Sequence, residues 1–188
     1  MSASERKIHD VQDRIAKDLA NHEITVVHRN GIFGHWRCRK PGTICMGFEI
    51  VTWPGHLAFT GDMGDYVFCR THNMIAFMRQ SWKSTSYAAE KCVAACRDGI
   101  TEWSEDDFRD ELREARKLGK EAREKTAEIF DAYSINSDPH VALAEMWESG
   151  LWDELPNCQT YTMRFLWCLH AIGWFCDRVD EHAIAYEG

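Results

Sequence analysis

Four short turn motifs divide residues 23–70 into β-rich segments, and this pattern limits the fold more than any other feature of the sequence. Each motif contains a glycine, which reaches the positive φ angles of tight turns at no steric cost. The motifs are Asn30-Gly31, Pro41-Gly42, Pro54-Gly55 and Met63-Gly64. They predict five short strands in one antiparallel sheet, with consecutive strands lying side by side. We expect Gly64 in particular to have a positive φ angle.

Helical periodicity replaces the two-residue alternation on both sides of this region. Apolar residues at three- and four-residue spacing predict a first helix that ends near His22. After Arg70 the sequence indicates helices only. The expected helical segments are 71–80, 85–97, 104–133, 138–149 and 158–183.

The expected helix over 104–133 has the clearest start in the chain. Ser104 is a favourable N-cap, and Asp107 three residues later completes an approximate capping box. Trp103 and Phe108 stand at the positions of a hydrophobic staple. The positions expected to face inward recur about every 3.5 residues, which predicts one long helix packed along a partner helix. They are Phe108, Leu112, Ala115, Gly119, Ala122, Thr126, Ile129 and Tyr133.

These elements predict an α+β protein with an N-terminal helix, an antiparallel sheet of about five strands and a helical C-terminal half. We expect residues 1–100 to form an α+β module that contains the sheet. Residues 101–188 are expected to form a helical, acidic region packed on this module, either as a second domain or as part of a single one.

The composition of the chain fits a folded cytoplasmic protein. With 188 residues, 45% of them hydrophobic and eight of them Trp, the chain can bury a sizeable core. The longest apolar run, residues 165–176, is shorter than the ~20 residues of a membrane span. Residues 1–10 lack the apolar stretch of a signal peptide. We therefore expect no membrane association and reduced cysteines that act mainly as core residues.

Negative charge is concentrated in the second half of the chain. Residues 1–100 contain 13 Lys and Arg residues against 10 Asp and Glu residues, whereas residues 135–188 contain two against nine. In between, the expected helix over 104–133 begins with a dense acidic cluster, in which like charges four residues apart repel each other mildly. This cluster is either a solvated helix face or a surface that binds a basic partner by imitating nucleic acid. In the second interpretation the binding residues are Asp106, Asp107, Asp110, Glu111 and Glu114.

The predicted hairpin over residues 28–42 gathers basic residues of the first half. Arginines around an exposed aromatic ring suit the binding of phosphates and unstacked bases. A nucleic-acid site here would use Arg29, Trp36, Arg37, Arg39 and Lys40. Strand alternation offers a second interpretation, in which Trp36 and Cys38 face the core and the arginines lie on the solvated face of an edge hairpin.

No motif in the sequence indicates catalysis or a bound cofactor. The sequence contains no nucleophile elbow, metalloprotease helix, P-loop or dinucleotide-binding motif. Asp62 and Asp65 could hold a cation, but a calcium loop needs further oxygen ligands, and both residue types are usual in hairpin turns. Cys92 and Cys96, expected four residues apart on a helix, lack the second pair of a zinc site. We therefore expect no metal, no cofactor and no enzymatic activity.

The segment FEIVTWPGHLAFTGDMGDYVFCR, residues 48–70, resembles a family of small proteins encoded by bacteriophages and prophages. The resemblance rests on two motifs, a T-x-P-G turn and GDMG-x-YVF, and extends into the following THNMIAFMRQS. The motifs lie at Thr52, Pro54 and Gly55 and at Gly61–Phe68. The resemblance implies no catalytic residues. It implies a setting, the accessory genes of phages, in which small acidic proteins that inhibit bacterial defences are frequent.

Two functions follow as expectations. The first is a non-enzymatic, phage-encoded inhibitor of the anti-CRISPR type, which binds a protein or ribonucleoprotein defence complex in the host bacterial cytoplasm through its acidic surface. The second is a phage accessory protein that binds nucleic acid through the basic hairpin at 28–42.

Overall fold

A computed structural model describes residues 3–179 of the chain, with side chains from Lys7 onward. The chain divides into two compact units. Among the described residues, the sheet unit comprises residues 5–101 and 161–179, and the helical unit is formed by residues 102–160. The helical unit is thus an insertion within the sheet unit. Residues 161–179 belong to the sheet unit rather than to the helical C-terminal region expected from the sequence.

The sheet unit is built on a six-stranded antiparallel sheet in which each strand pairs with the next one in the chain. The strands are β1 (Glu23–Asn30), β2 (Phe33–Arg39), β3 (Phe48–Trp53), β4 (His56–Gly61), β5 (Gly64–Cys69) and β6 (Cys92–Ala95). The predicted order of the first five strands is confirmed. Gly31, Gly55 and Gly64 have φ angles of 57°, 80° and 133°, so the expected conformation of Gly64 is confirmed as well.

The sixth strand corrects the expectation that residues 85–97 are helical. Only α3 (Thr85–Glu90) is a helix, and Cys92–Ala95 then pairs antiparallel with β5. Alanine-rich segments prefer helices, but this preference is weak beside the backbone hydrogen bonds that an open strand edge offers. The prediction that Cys92 and Cys96 lie four residues apart on one helix is therefore wrong.

One face of the sheet carries the large apolar side chains, as alternation along the strands predicts. The helices of this unit are α1 (Ala3–Asp18), α2 (Met74–Ser81), α3 and α7 (Met163–Cys176). Most side chains of α7 are buried, and its Phe165 ring contacts the Tyr66 ring of β5 at 5.5 Å between centroids. The indole of Trp167 in α7 donates a hydrogen bond to Asp18 of α1 at 2.9 Å. None of the described helices, α7 included, is long and apolar enough to cross a membrane.

α7 begins later than the helix expected over 158–183. Gln159–Tyr161 forms β8, which pairs with β7 (Thr101–Trp103) in a separate two-stranded sheet. Thr162 then caps α7, because its hydroxyl accepts a hydrogen bond from the backbone N–H of Phe165 at 3.2 Å. α7 ends at Cys176 and residues 177–179 are not helical, so the expected helix is also too long at this end; its residues 180–183 lie outside the described part of the chain.

The helical unit contains α4 (Glu105–Ala115), α5 (Lys120–Asn136) and α6 (Pro139–Ser149). The single long helix predicted over 104–133 is wrong, because the chain leaves α4 through a 3₁₀ turn and then Gly119, whose φ angle of 136° does not fit a helix interior. The predicted inward positions are nevertheless buried apart from Gly119, since α4, α5 and α6 share one core. This core comprises Phe108, Leu112, Ile129, Tyr133, Ala142, Met146 and Cys158.

The predicted start of α4 is confirmed at its N-cap. The hydroxyl of Ser104 accepts a hydrogen bond from the backbone N–H of Asp107 at 3.2 Å. The backbone N–H of Ser104 donates to the carbonyl of Cys158 at 2.9 Å, so the second half of the capping box is replaced by a tertiary bond. The rings of Trp103 and Phe108 lie 5.4 Å apart, which confirms the hydrophobic staple.

Candidate functional site

The negative charge of the protein lies in the helical unit. Residues 102–160 contain 16 Asp and Glu residues against seven Lys and Arg residues, while the whole chain contains 30 against 22. The rest of the chain is therefore nearly neutral. Charge gathered on one unit creates a strong local field that attracts ions of the opposite sign. The helical unit is thus the part of the molecule most suited to a positively charged partner.

α4 arranges the acidic cluster along one flank. Phe108 and Leu112 form the buried side of this helix. Steps of four residues carry Asp106, Asp110 and Glu114 along an exposed flank, which we call the acidic stripe. The side chains of Asp110 and Glu114 are 63% and 66% exposed. Three of the five predicted binding residues are thus brought together on the surface.

Two members of the acidic stripe have basic partners on the same helical segment. Arg113 donates to Asp110, and the Lys117 ammonium donates to Glu114 at 2.6 Å. All four side chains are more than half exposed, so solvent screens these pairs and each contributes about 0–1 kcal/mol. A basic partner that excludes water from the stripe can therefore replace them.

The helix dipole explains only the beginning of the acidic cluster. Glu105, Asp106 and Asp107 occupy the first turn of α4, where negative side chains offset the partial positive charge of the helix N-terminus. Asp110 lies beyond that turn, and Glu114 stands beside the C-terminus of α4, where negative charge is unfavourable. The helix dipole therefore accounts for the carboxylates of the first turn but not for Asp110 and Glu114, which instead pair with Arg113 and Lys117.

Asp107 and Glu111 lie at the edge of the acidic stripe rather than on it. Both residues are partly buried, and both act on the thiol of Cys158. Burial, together with the carboxylates of Glu111 and Asp107, raises the pKa of Cys158 to about 11. Of the five residues predicted to bind a partner, these two are therefore partly shielded from it.

In the basic hairpin over residues 28–42, the indole ring of Trp36 is buried in the core of the sheet unit. Trp36 is 1% exposed, and its ring packs edge-on against Phe175 of α7 with the centroids 5.3 Å apart. Cys38 is also buried, so the interpretation that both residues face the core is confirmed. The structure thereby removes Trp36 from any surface that could stack on a base. Arg29 is partly buried as well.

Arg37 lies on the solvated face of the sheet, where it is held by Glu49. Its Nε donates to Glu49 Oε1 at 2.8 Å, and His35 Nε2 lies 2.5 Å from the other carboxylate oxygen. The hydrogen bonds from Arg37 and His35 hold the pKa of Glu49 below its ordinary value. Arg39 and Lys40 are exposed. The hairpin therefore offers a phosphate fewer open cations than its sequence suggests.

The carboxylates of Asp62 and Asp65 take part in the turn that joins β4 and β5. Asp62 accepts a hydrogen bond from the backbone N–H of Met46 at 2.8 Å, and Asp65 accepts one from the hydroxyl of Thr60. Both carboxylates therefore have structural partners, as the turn interpretation requires.

The eight cysteines are free thiols, and four of them are buried. Burial raises the pKa of each buried thiol above its ordinary value. The buried thiols are Cys38, Cys158, Cys168 and Cys176. Among the residues that the structure describes, no group of three or more His, Cys, Asp or Glu side chains is placed to hold a metal ion.

We expect thiol reagents to separate exposed cysteines from buried ones. At pH 8 the exposed Cys45 should react readily, whereas the raised pKa of Cys158 alone should slow its reaction roughly 100-fold, because only the thiolate is nucleophilic. Maleimide labelling followed by mass spectrometry measures the rates, and labelling in denaturant should modify all eight thiols. Native labelling of Cys158 as fast as that of Cys45 would contradict the buried position.

The candidate residues predicted from the sequence do not include the arginines of α4 and of the 3₁₀ turn that follows it. In the structure Arg109, Arg113 and Arg116 form a flank of their own and line a groove between α4 and α5. Their spacing of four and then three residues is the signal by which the sequence could have revealed it.

Comparison of the chain with protein-family models, curated proteins and solved structures finds no match. The resemblance of residues 48–70 to phage-encoded proteins therefore stays a prediction.

Proposed function

We propose that this protein is a non-enzymatic inhibitor that binds the basic surface of a bacterial defence complex through the acidic stripe of α4. The observation that carries the proposal is the segregation of charge, with 16 acidic against seven basic residues in 102–160. The stripe repeats a carboxylate every four residues, about 6 Å along the helix axis. The stripe therefore presents a row of regularly spaced negative charges, as the phosphates of a nucleic-acid strand do. Such a row suits a basic groove that otherwise binds phosphates.

The acidic stripe binds a partner most strongly where the contact excludes water. Hydrogen bonds between a carboxylate and a guanidinium or ammonium group are roughly twice as strong as neutral ones. The field of the whole helical unit also speeds the encounter with a positively charged partner. Both effects weaken as salt screens the charges, so the proposed binding is salt-dependent.

The biological setting of the proposal rests on the resemblance of residues 48–70. That resemblance implies a phage accessory protein that acts in the host bacterial cytoplasm. A CRISPR surveillance complex holds its nucleic acid in a positively charged channel, which makes it the first partner to test. Direct binding of nucleic acid through the hairpin has less support, because Trp36 is buried and Arg37 is paired with Glu49.

The variant Asp106→Lys/Asp110→Lys/Glu114→Lys tests the proposal. We expect it to bind a purified CRISPR surveillance complex roughly 100-fold more weakly than the wild type, because three attractive contacts become repulsive. Fluorescence anisotropy at low and high salt measures the dissociation constants, and circular dichroism checks that α4 still folds. Added target DNA should compete with the wild-type protein for the complex.

A matched variant separates the acidic stripe from the total charge. Glu148→Lys/Asp153→Lys/Glu154→Lys changes the net charge by the same amount at exposed residues of the helical unit. It should keep most of the binding, and an equal loss in both variants would argue against the stripe. Tight, salt-dependent binding of DNA that Arg37→Glu/Arg39→Glu abolishes would favour the nucleic-acid alternative instead.

A further inference from the structure

A groove of about 380 Å³ lies within the helical unit, between α4 and α5. Arg109, Arg113 and Arg116 line it, following the flank of α4 next to the acidic stripe, and we call it the arginine groove. Apolar and small residues of both helices form the remainder of its lining, and Asp131 is its one carboxylate among the described residues. Three arginines against one carboxylate make guanidinium groups the main polar part of this lining.

One side of the arginine groove is formed by the ring of Phe130, which contacts the guanidinium of Arg109. The guanidinium carbon of Arg109 lies 4.9 Å from the centroid of the Phe130 ring. A guanidinium over an aromatic face is attracted by the electrons of the ring, and its planar shape is kept in one orientation. The groove thus combines a fixed guanidinium with an apolar surface on which a planar group could lie.

The ion pairs along the helix use only some of the guanidinium N–H groups that line the groove. A guanidinium has five N–H groups. Glu105 occupies Nε and Nη2 of Arg109 at 2.9 and 2.5 Å, and Asp110 occupies Nη1 of Arg113. Among the residues that the structure describes, no carboxylate pairs with Arg116. Nη1 of Arg109, Nε and Nη2 of Arg113 and the whole guanidinium of Arg116 therefore remain for a ligand.

We propose that the arginine groove binds a small phosphate-bearing ligand. Planar guanidinium groups match the oxygens of a phosphate in pairs, and several of them can bind different oxygens of one tetrahedral group. A phosphate also carries more charge than a single carboxylate, which suits two arginines of α4 and a third in the 3₁₀ turn that follows it. The volume of about 380 Å³ lies in the range of small-molecule sites and is too small for a folded partner. This site is separate from the acidic stripe and does not depend on its function.

Titration calorimetry of the full-length protein at low salt tests the proposal with inorganic pyrophosphate, ADP and adenosine as probes. Pyrophosphate and ADP should bind with one-to-one stoichiometry and raise the melting temperature, whereas adenosine should not bind. Arg113→Gln/Arg116→Gln should weaken both ligands roughly 100-fold, because two charge-assisted contacts are lost. Lys117→Gln/Lys120→Gln removes the same charge outside the groove and should change the affinities less than about threefold.

The same titrations contain the results that would overturn the proposal. These are no binding of either phosphate ligand at millimolar concentration, equal losses in the arginine and lysine variants, or adenosine binding as tight as that of ADP. A glutamate-rich peptide that binds more tightly than pyrophosphate would assign the groove to acidic peptides and would also overturn it. If ADP binds more tightly than pyrophosphate, the adenine base also contacts the groove at Phe130. If the two ligands bind equally tightly, the groove recognises only their phosphate groups. Both results support the proposal.

Discussion

Replacing Gly173 with valine is expected to destabilise the protein by about 3 kcal/mol, the upper end of the usual cost of overpacking, because the position has no room for a side chain. An ideal Cβ at Gly173 would lie 2.4 and 2.5 Å from Cδ2 and Cε2 of Trp82. The indole ring at the end of α2 therefore rests directly against the backbone of α7. Valine must displace the ring, which also packs edge-on against His170 at 5.0 Å, or move a helix that is buried along most of its length.

Helix propensity alone predicts the opposite result for the smaller change Gly173→Ala. Glycine inside a helix costs about 1 kcal/mol relative to alanine, so the change would stabilise α7 if nothing lay against it. We expect Gly173→Ala to destabilise the protein nevertheless, since even a methyl group at this position would overlap the Trp82 ring. Urea unfolding measures the effect, and a higher unfolding free energy for Gly173→Ala would contradict the packing. Combining Gly173→Val with Trp82→Ala should cost less than the sum of the two changes, because the clash then disappears.

The first five strands can be predicted from the sequence because local chemistry decides them. A turn glycine such as Gly64 and the alternation along each strand leave few other conformations. β6 cannot be predicted in this way, since it needs an edge that exists only after β5 has paired. The break in the helix at Gly119 could not be predicted for a different reason. The spacing of buried residues continues through it because α4 and α5 face one core, so the periodicity does not reveal the break between them.

In the candidate site, too, the sequence predicts the features that depend on neighbouring residues and misses those that depend on the tertiary fold. Asp106, Asp110 and Glu114 could be placed on one flank from their spacing alone, since a helix fixes that geometry. The effect of Asp107 on the pKa of Cys158 depends on the tertiary fold, which brings Cys158 close to α4. The pairing of Arg37 with Glu49 likewise depends on the register between β2 and β3, which places the two residues opposite each other.

Trp36→Ala is expected to destabilise the protein by about 3–5 kcal/mol, the cost of removing a large aromatic ring from a packed core. The ring lies over Gly34 of the same strand, where a Cβ would be only 1.9 Å from the ring atom Cη2. It also fills the space between β2 and Phe175 of α7. Urea unfolding followed by circular dichroism measures the loss. Trp147→Ala, at a residue that is 63% exposed, is the matched control and should change stability by less than about 0.5 kcal/mol.

The same variant decides between the two interpretations of the basic hairpin. If Trp36 stacked on unpaired bases, its removal would spare the fold and would lower the affinity for single-stranded DNA by about 1–3 kcal/mol. A core position predicts the reverse, with a large loss of stability and no specific effect on DNA binding by the molecules that remain folded. Trp36→Phe sharpens the comparison, because it keeps most of the apolar volume and an aromatic face. We expect it to recover part of the stability lost in Trp36→Ala, and a Trp36→Ala protein as stable as the wild type but unable to bind DNA would contradict the core position.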